Sequence, residues 1–144
     1  NETWKTYNED GSTKAEGNRN ADGSGNAVIN DEHGNKQQEN SWDKDGKKTN
    51  KYFMDDKLTG TYTRAQDDQG NEHWNFKDAN GKMTTSGVNN KDGTSVQLNY
   101  NKDNRVEQEI HHTKGARTVK NHSYDESGKP NQPKQRTFLG KPVK

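Results

Sequence analysis

Five histidines, three tryptophans and a dense scatter of carboxylates are the residues of this sequence that could do chemistry. The histidines are His33, His73, His111, His112 and His122. A metal site needs ligands that converge, and neighbours such as His111 and His112 point to opposite faces of a strand. Carboxylates gather at Asn8-Glu9-Asp10-Gly11, Asp43-Lys44-Asp45-Gly46 and Asn90-Lys91-Asp92-Gly93. Each resembles the start of a calcium loop. Calcium takes about six to eight oxygens, with a bidentate glutamate closing an EF-type loop, and none of these segments supplies that set. Asp and Asn before Gly are also ordinary turn residues. Ser86 and Ser95 lack the strand-turn-helix setting of an activated serine. Paired catalytic carboxylates need a pocket that moves their pKa values apart, whereas those here are evenly spread. The expectation is a non-catalytic chain with no cofactor and no metal.

The aromatics remain. Trp4, Trp42, Trp74, Tyr52, Tyr62 and Tyr100 could present a stacking platform for a glycan. They could equally be the only core available. Apolar residues are 21% of the chain and charged residues 31%, against about 45–50% apolar in an ordinary domain. With so few alternatives, packing is the favoured use of these rings. The 144 residues suffice for one domain, but not for a normal three-dimensional core at this composition. Either the chain is disordered, or it folds as something thin in which backbone pairing carries the order.

Charge argues against some partners. The chain has 23 Lys and Arg against 22 Asp and Glu, a net charge of +1. The signs are interleaved, and the basic run Lys44 to Lys51 is diluted by Asp45. A nucleic-acid binder should carry a basic stripe, so no nucleic-acid partner is expected. No apolar stretch approaches membrane-spanning length, so no membrane insertion is expected either. Cysteine is absent, which removes disulfides and thiol chemistry. The strand-like opening Asn1-Glu2-Thr3-Trp4 is read as that of a mature, secreted chain whose export signal has been removed.

The elements that must position the aromatics are announced by a repeat. Turn dipeptides recur at Asp10-Gly11, Asp22-Gly23, His33-Gly34, Asp45-Gly46, Gln69-Gly70, Asn80-Gly81, Asp92-Gly93, Lys114-Gly115 and Ser127-Gly128. Asp55-Asp56-Lys57 and Asp103-Asn104 fill the two places in the series that lack glycine. Such pairs supply the positive φ of tight hairpins. Turns 11–13 residues apart leave roughly 7–8 residues per strand, an ordinary strand length. The spacing predicts an all-β fold: a repetitive antiparallel β-meander of about 11–12 strands, open and single-layered, or curled or stacked.

A longer period of 22–24 residues marks every second turn with a large apolar residue: Tyr7, Ile29, Phe53, Phe76, Tyr100 and Tyr124. One complete hairpin separates them, so they are expected at one height along one margin, as a ladder of cross-strand neighbours. Alternation puts Trp74 with Phe76, Val96 with Leu98 and Tyr100, Val106 with Ile110, and Leu58 with Tyr62. One face is therefore expected to be thinly apolar and the other polar. Residues 1–128 form the predicted meander. Residues 129–144 form a tail in which Pro130 and Pro133 interrupt pairing, with a last strand possible at Arg136-Thr137-Phe138-Leu139. Regularly placed anchors also argue against disorder, since a disordered linker has no reason to place them.

The pattern resembles three kinds of protein. It is similar to the single-layer sheet of spirochaete outer-surface lipoproteins, whose strands are rich in Lys, Glu and Thr. The segment Tyr124-Asp125-Glu126-Ser127-Gly128-Lys129 resembles the motif of YD/Rhs repeats, which form β-hairpin strips in secreted bacterial proteins; the other anchors lack the Tyr-Asp pair. The hydrophilic meander also resembles the N-terminal assembly domain of lepidopteran silk fibroin. These resemblances imply a secreted, extracellular, repetitive β-protein.

An open meander has two edges that can template pairing with other chains, and a thin apolar face calls for another layer. The functional expectation is a secreted structural protein that associates with itself into a fibre, matrix or surface layer. Trp4, Tyr7, Ile29, Trp42, Phe53, Tyr62, Trp74, Phe76, Leu98, Tyr100, Ile110 and Tyr124 are its expected packing and assembly residues. The alternative is a surface module that binds a glycan or an extracellular protein through its aromatics.

Overall fold

Each tight turn fixes where the next strand must begin, and eleven strands follow from the turn series. The computed structural model describes residues 1–131. In it the strands are β1 (Glu2–Tyr7), β2 (Thr13–Arg19), β3 (Gly25–Asn30), β4 (Lys36–Trp42), β5 (Lys48–Met54) and β6 (Lys57–Gln66). They continue with β7 (Glu72–Asp78), β8 (Met83–Asn89), β9 (Ser95–Tyr100), β10 (Val106–Thr113) and β11 (Ala116–Asn121). Every strand pairs antiparallel with its sequence neighbours, in the order β1 to β11, in one sheet that does not close on itself. The described residues contain no helix. The fold is the all-β antiparallel meander that the turn spacing predicts.

Among the described residues nine turns share one five-residue frame. In the turn from Asn20 to Ser24, Asn20 N–H donates to the Ser24 carbonyl at 2.7 Å and Gly23 N–H donates to the Asn20 carbonyl at 3.0 Å. The fourth residue must be left-handed; it is Gly23 here, at φ 90°, and Asn104 in the turn that lacks glycine, at φ 63°. Asn is among the few non-glycine residues that accept this region readily. Asp55 and Asp56, at φ 51° and 63°, instead make a two-residue hairpin with both central residues left-handed.

Side chains lock the frame in two chemically distinct ways. Where Asn comes first, Asp third and Ser or Thr fifth, the aspartate takes the fifth residue's N–H and hydroxyl. Asp92 accepts from Thr94 N at 2.9 Å and from Thr94 Oγ1 at 2.6 Å. Where Asp comes first, its Oδ1 accepts the N–H groups of residues three and five, as Asp43 does from Asp45 and Lys47. The segments that resemble calcium loops are thus turns whose carboxylates are occupied by their own backbone. These bonds favour the ionised form. The Ser12 hydroxyl holds the Asp10 carboxyl below its ordinary value, and that of Thr94 does the same for Asp92.

The five hairpins β1–β2, β3–β4, β5–β6, β7–β8 and β9–β10 each contain a register shift next to the turn. One unpaired residue lies near the start of each even strand: Lys14, Gln37, Thr59, Thr84 and Glu107. The other five hairpins pair without interruption. All five bulges therefore lie along one margin of the sheet. A bulge bends its strand and increases local twist, so the two margins differ in shape.

Among the described residues the last regular strand ends at Asn121. Beyond it, residues 122–131 fold back in a further turn closed by a bridge between Tyr124 and Pro130. The expected last strand at Arg136-Thr137-Phe138-Leu139 lies outside the described residues. Among the described residues Ile110, 7% exposed, is the one buried apolar side chain. The sheet is a single layer with two wet faces, held by its hydrogen-bond ladder and by neighbouring side chains across strands.

Candidate functional site: the two faces of the sheet

Directly paired residues share a face, so the register assigns every side chain between the bulges. One row crosses all eleven strands. It runs from Glu2 through Arg19, Gly25, Trp42, Lys48 and Arg64. It continues through Trp74, Gly87, Gln97 and Ile110 to Val119. The next row on this face holds Trp4, Gly17, Tyr62 and Phe76, and Ile29 and Tyr52 lie one row further. All three tryptophans stand on this face, on β1, β4 and β7.

Four aromatic rings of this face each cover a glycine on an adjacent strand. A Cβ added at Gly25 would lie 2.6 Å from Trp42 Cζ2, and one added at Gly87 would lie 2.5 Å from Trp74 Cε2. Trp4 covers Gly17 and Phe76 covers Gly60 in the same way. Glycine normally weakens a strand because it brings no side chain to pack. Here the missing Cβ makes the space that the ring occupies, and the ring shields the glycine backbone. The rings also meet one another. Tyr62 and Trp74 have centroids 6.2 Å apart, and Tyr52 and Phe76 6.3 Å apart, within the range where aromatic pairs attract.

The expected residues divide in three ways. Trp4, Trp42, Tyr62, Trp74, Phe76, Ile29 and Ile110 do share the tryptophan face. Leu98 does not: it pairs with Ser86 and Glu109 on the opposite face, alongside the Val88–Val96 pair, and Val28 is on that face too. The expectation of one apolar and one polar face is therefore corrected, since aliphatic residues lie on both sides. The ladder of anchors is also corrected. Ile29 and Phe76 face the tryptophan side. Tyr100 follows Asn99, which pairs with Thr85 on that side, so Tyr100 turns to the other, and its hydroxyl meets Ser86 Oγ at 2.8 Å. The anchors share a margin but not a face, because Ile29 and Phe76 stand two residues before their turns and Tyr100 stands one residue before its own.

The margin anchors are held individually. Lys36 Nζ stands 4.3 Å from the Phe53 ring centroid and Lys5 Nζ 5.6 Å from that of Tyr7, which is 61% exposed. Tyr124 donates its hydroxyl to the Val106 carbonyl at 2.6 Å and lies under the Arg105 guanidinium. Two bulge residues also lock this margin. Thr59 Oγ1 donates to the Tyr52 carbonyl at 3.2 Å, and Thr84 Oγ1 to the Phe76 carbonyl at 3.1 Å.

Two arrangements escaped the sequence reading. Glu109, on the opposite face, takes His122 Nε2 at 2.5 Å and His111 Nε2 at 3.3 Å. The contact from His122 is the main reason its carboxyl is held below the usual range. Register alone could not reveal this, because His122 lies past the end of β11. No group of three His, Asp or Glu among the described residues is arranged to hold a metal ion. The second arrangement is a shallow groove of about 640 Å³ around Trp42, lined by Arg19, Lys48 and Arg64 together with Asn40, Asn50, Gly23 and Ser41. Arg19 and Lys48 each adjoin a turn and Arg64 stands three residues before one, so only the pairing register brings the three together.

No protein-family model matches this chain, and no curated protein sequence is similar to it. The fold and its faces define it by architecture, as an open single-layer β-meander.

Proposed function

We propose that this chain is a non-catalytic structural unit, secreted, whose sheet is extended by strands of further copies into an extracellular fibre, matrix or surface layer. The observation that carries this reading is the pair of outermost strands. Among the described residues β1 pairs only with β2 and β11 only with β10, and every residue of both is exposed. Such ladders accept another strand. A single layer gains stability chiefly by lateral pairing, since it has almost no core to enlarge.

The strand count shapes the contact. Ten antiparallel steps separate β1 from β11, so the two run in the same direction. A copy added by simple translation would join in parallel. Antiparallel joints that keep the tryptophans on one side require two-fold axes normal to the sheet, pairing β11 with β11 and β1 with β1. Repeated alternately, these joints do not close and generate a ribbon. A β11 pair brings together two strands that each carry Arg117 and Lys120 and no carboxylate, so association should strengthen as salt screens them.

Amide hydrogen exchange across a concentration series tests this. The β1 and β11 amides should become protected as light scattering rises, with filaments in electron micrographs. A chain that stays monomeric at high concentration and moderate salt, with those amides unprotected, sinks the proposal.

A further inference from the structure

We infer that the groove around Trp42 is a binding site for a linear acidic polysaccharide that carries a carboxylate on each sugar ring. Three cationic side chains, Arg19, Lys48 and Arg64, line it, and no acidic residue does. That concentration stands out in a chain with 23 cations and 22 anions. Two anions adjoin them: Glu72, 3.6 Å from Arg64 Nε and shared with the Asn89 amide, and Glu2, opposite Arg19 in the same row.

Geometry narrows the ligand. Arg19, Trp42, Lys48, Arg64 and Trp74 lie in one cross-strand row. Adjacent strands are about 4.8 Å apart, close to the length of one sugar unit in an extended polysaccharide. Lys48 and Arg64, on neighbouring strands, therefore meet carboxylates of consecutive sugars. Trp42 and Trp74, about 14 Å apart at that strand spacing, offer rings at both ends of the pair, and Asn40 and Asn50 supply amides for hydroxyls. Single-stranded nucleic acid also seeks cations beside aromatics. Its repeat is longer than the strand step, and its affinity rests on releasing many counterions, which three cations and a net charge of +1 serve poorly. The site is separate from the sheet edges and does not depend on self-association.

The experiment titrates the full chain, at a concentration where sedimentation shows single molecules, with a mannuronate hexasaccharide, cellohexaose and a deoxythymidine oligonucleotide. Tryptophan fluorescence and calorimetry report binding. The mannuronate should bind and cellohexaose should bind at least tenfold more weakly. The double variant Lys48→Gln/Arg64→Gln should lose at least tenfold in mannuronate affinity with an unchanged circular dichroism spectrum, while Lys51→Gln, on the opposite face, leaves it unaltered. No binding of the mannuronate, equal binding of cellohexaose, tighter binding of the oligonucleotide, or an affinity indifferent to the double variant would each overturn the inference.

Discussion

The two long margins of this sheet are built from the same kind of turn, yet they hold their strands differently. Along the plain margin, the hairpins β2–β3, β4–β5, β6–β7, β8–β9 and β10–β11 pair residue for residue, and Trp42 and Trp74 cover glycines close by. Along the other, every hairpin carries one unpaired residue, and Thr59 and Thr84 tie those bulges to the preceding strand. Continuous pairing with aromatic cover needs a strict face for each residue. A bulge relaxes that requirement at one place on each even strand, while Tyr100 and Phe76, on unbulged strands, face opposite ways because they stand one and two residues before their turns.

Removing single residues tests this division most severely. Without Gln97, β9 has no spare residue, so half of the strand must turn its side chains to the wrong face. The expected loss exceeds about 3 kcal/mol, on the scale of the most damaging changes, with the loss of cooperative unfolding in urea. Without Thr84, β8 loses only its bulge residue and pairs straight through, at about 1–2 kcal/mol for the tie and its local fit. Equal effects from the two deletions would refute the assignment of the bulge.

A more local change probes the plain margin. Gly87→Ala puts a methyl group 2.5 Å from Trp74 Cε2, so the indole must move. The expected cost is about 1–3 kcal/mol, as for overpacking, although Ala ordinarily improves on Gly in a strand. Urea melts followed by tryptophan fluorescence should show both the loss and a red shift. On the bulged margin, Thr84→Val keeps the shape and removes the bond to the Phe76 carbonyl, for about 1 kcal/mol, measurable by the same melts.

The smallest effect distinguishes turns rather than margins. Asp10, Asp22 and Asp92 are held below the ordinary aspartate value of 3.8, chiefly by the hydroxyl of the residue two places on. A depressed carboxyl contributes stability that is complete above its unfolded value and is lost as pH falls through its folded one. Thermal midpoints should therefore stay flat down to about pH 4 and fall below 3.8. Asp92→Asn should reduce that fall without steepening it. An unchanged acid transition in this variant would exclude the turn carboxylates as its source.

Much of this molecule was legible in its residues. Asp-Gly and Asn-Gly pairs fixed the turns because few other residues accept a positive φ, and Asp55-Asp56 and Asp103-Asn104 were correctly placed as their substitutes. Even the bulges left a trace. The turn glycines at 11, 23, 34 and 46, and again at 70, 81 and 93, are spaced alternately by 12 and 11 residues, the longer interval spanning the strand with the extra residue. Read only as a mean spacing, that alternation is lost.

Local chemistry thus determined the strands, their order and their antiparallel sense, since a tight turn leaves the next strand one place to go. What the tertiary structure decided is everything that depends on pairing across strands. The face on which Leu98 and Tyr100 stand, the glycine beneath each tryptophan, and the meeting of Arg19, Lys48 and Arg64 around Trp42 all follow from register. One unpaired residue reverses the faces beyond it, and no feature within a single strand specifies which partner it will meet.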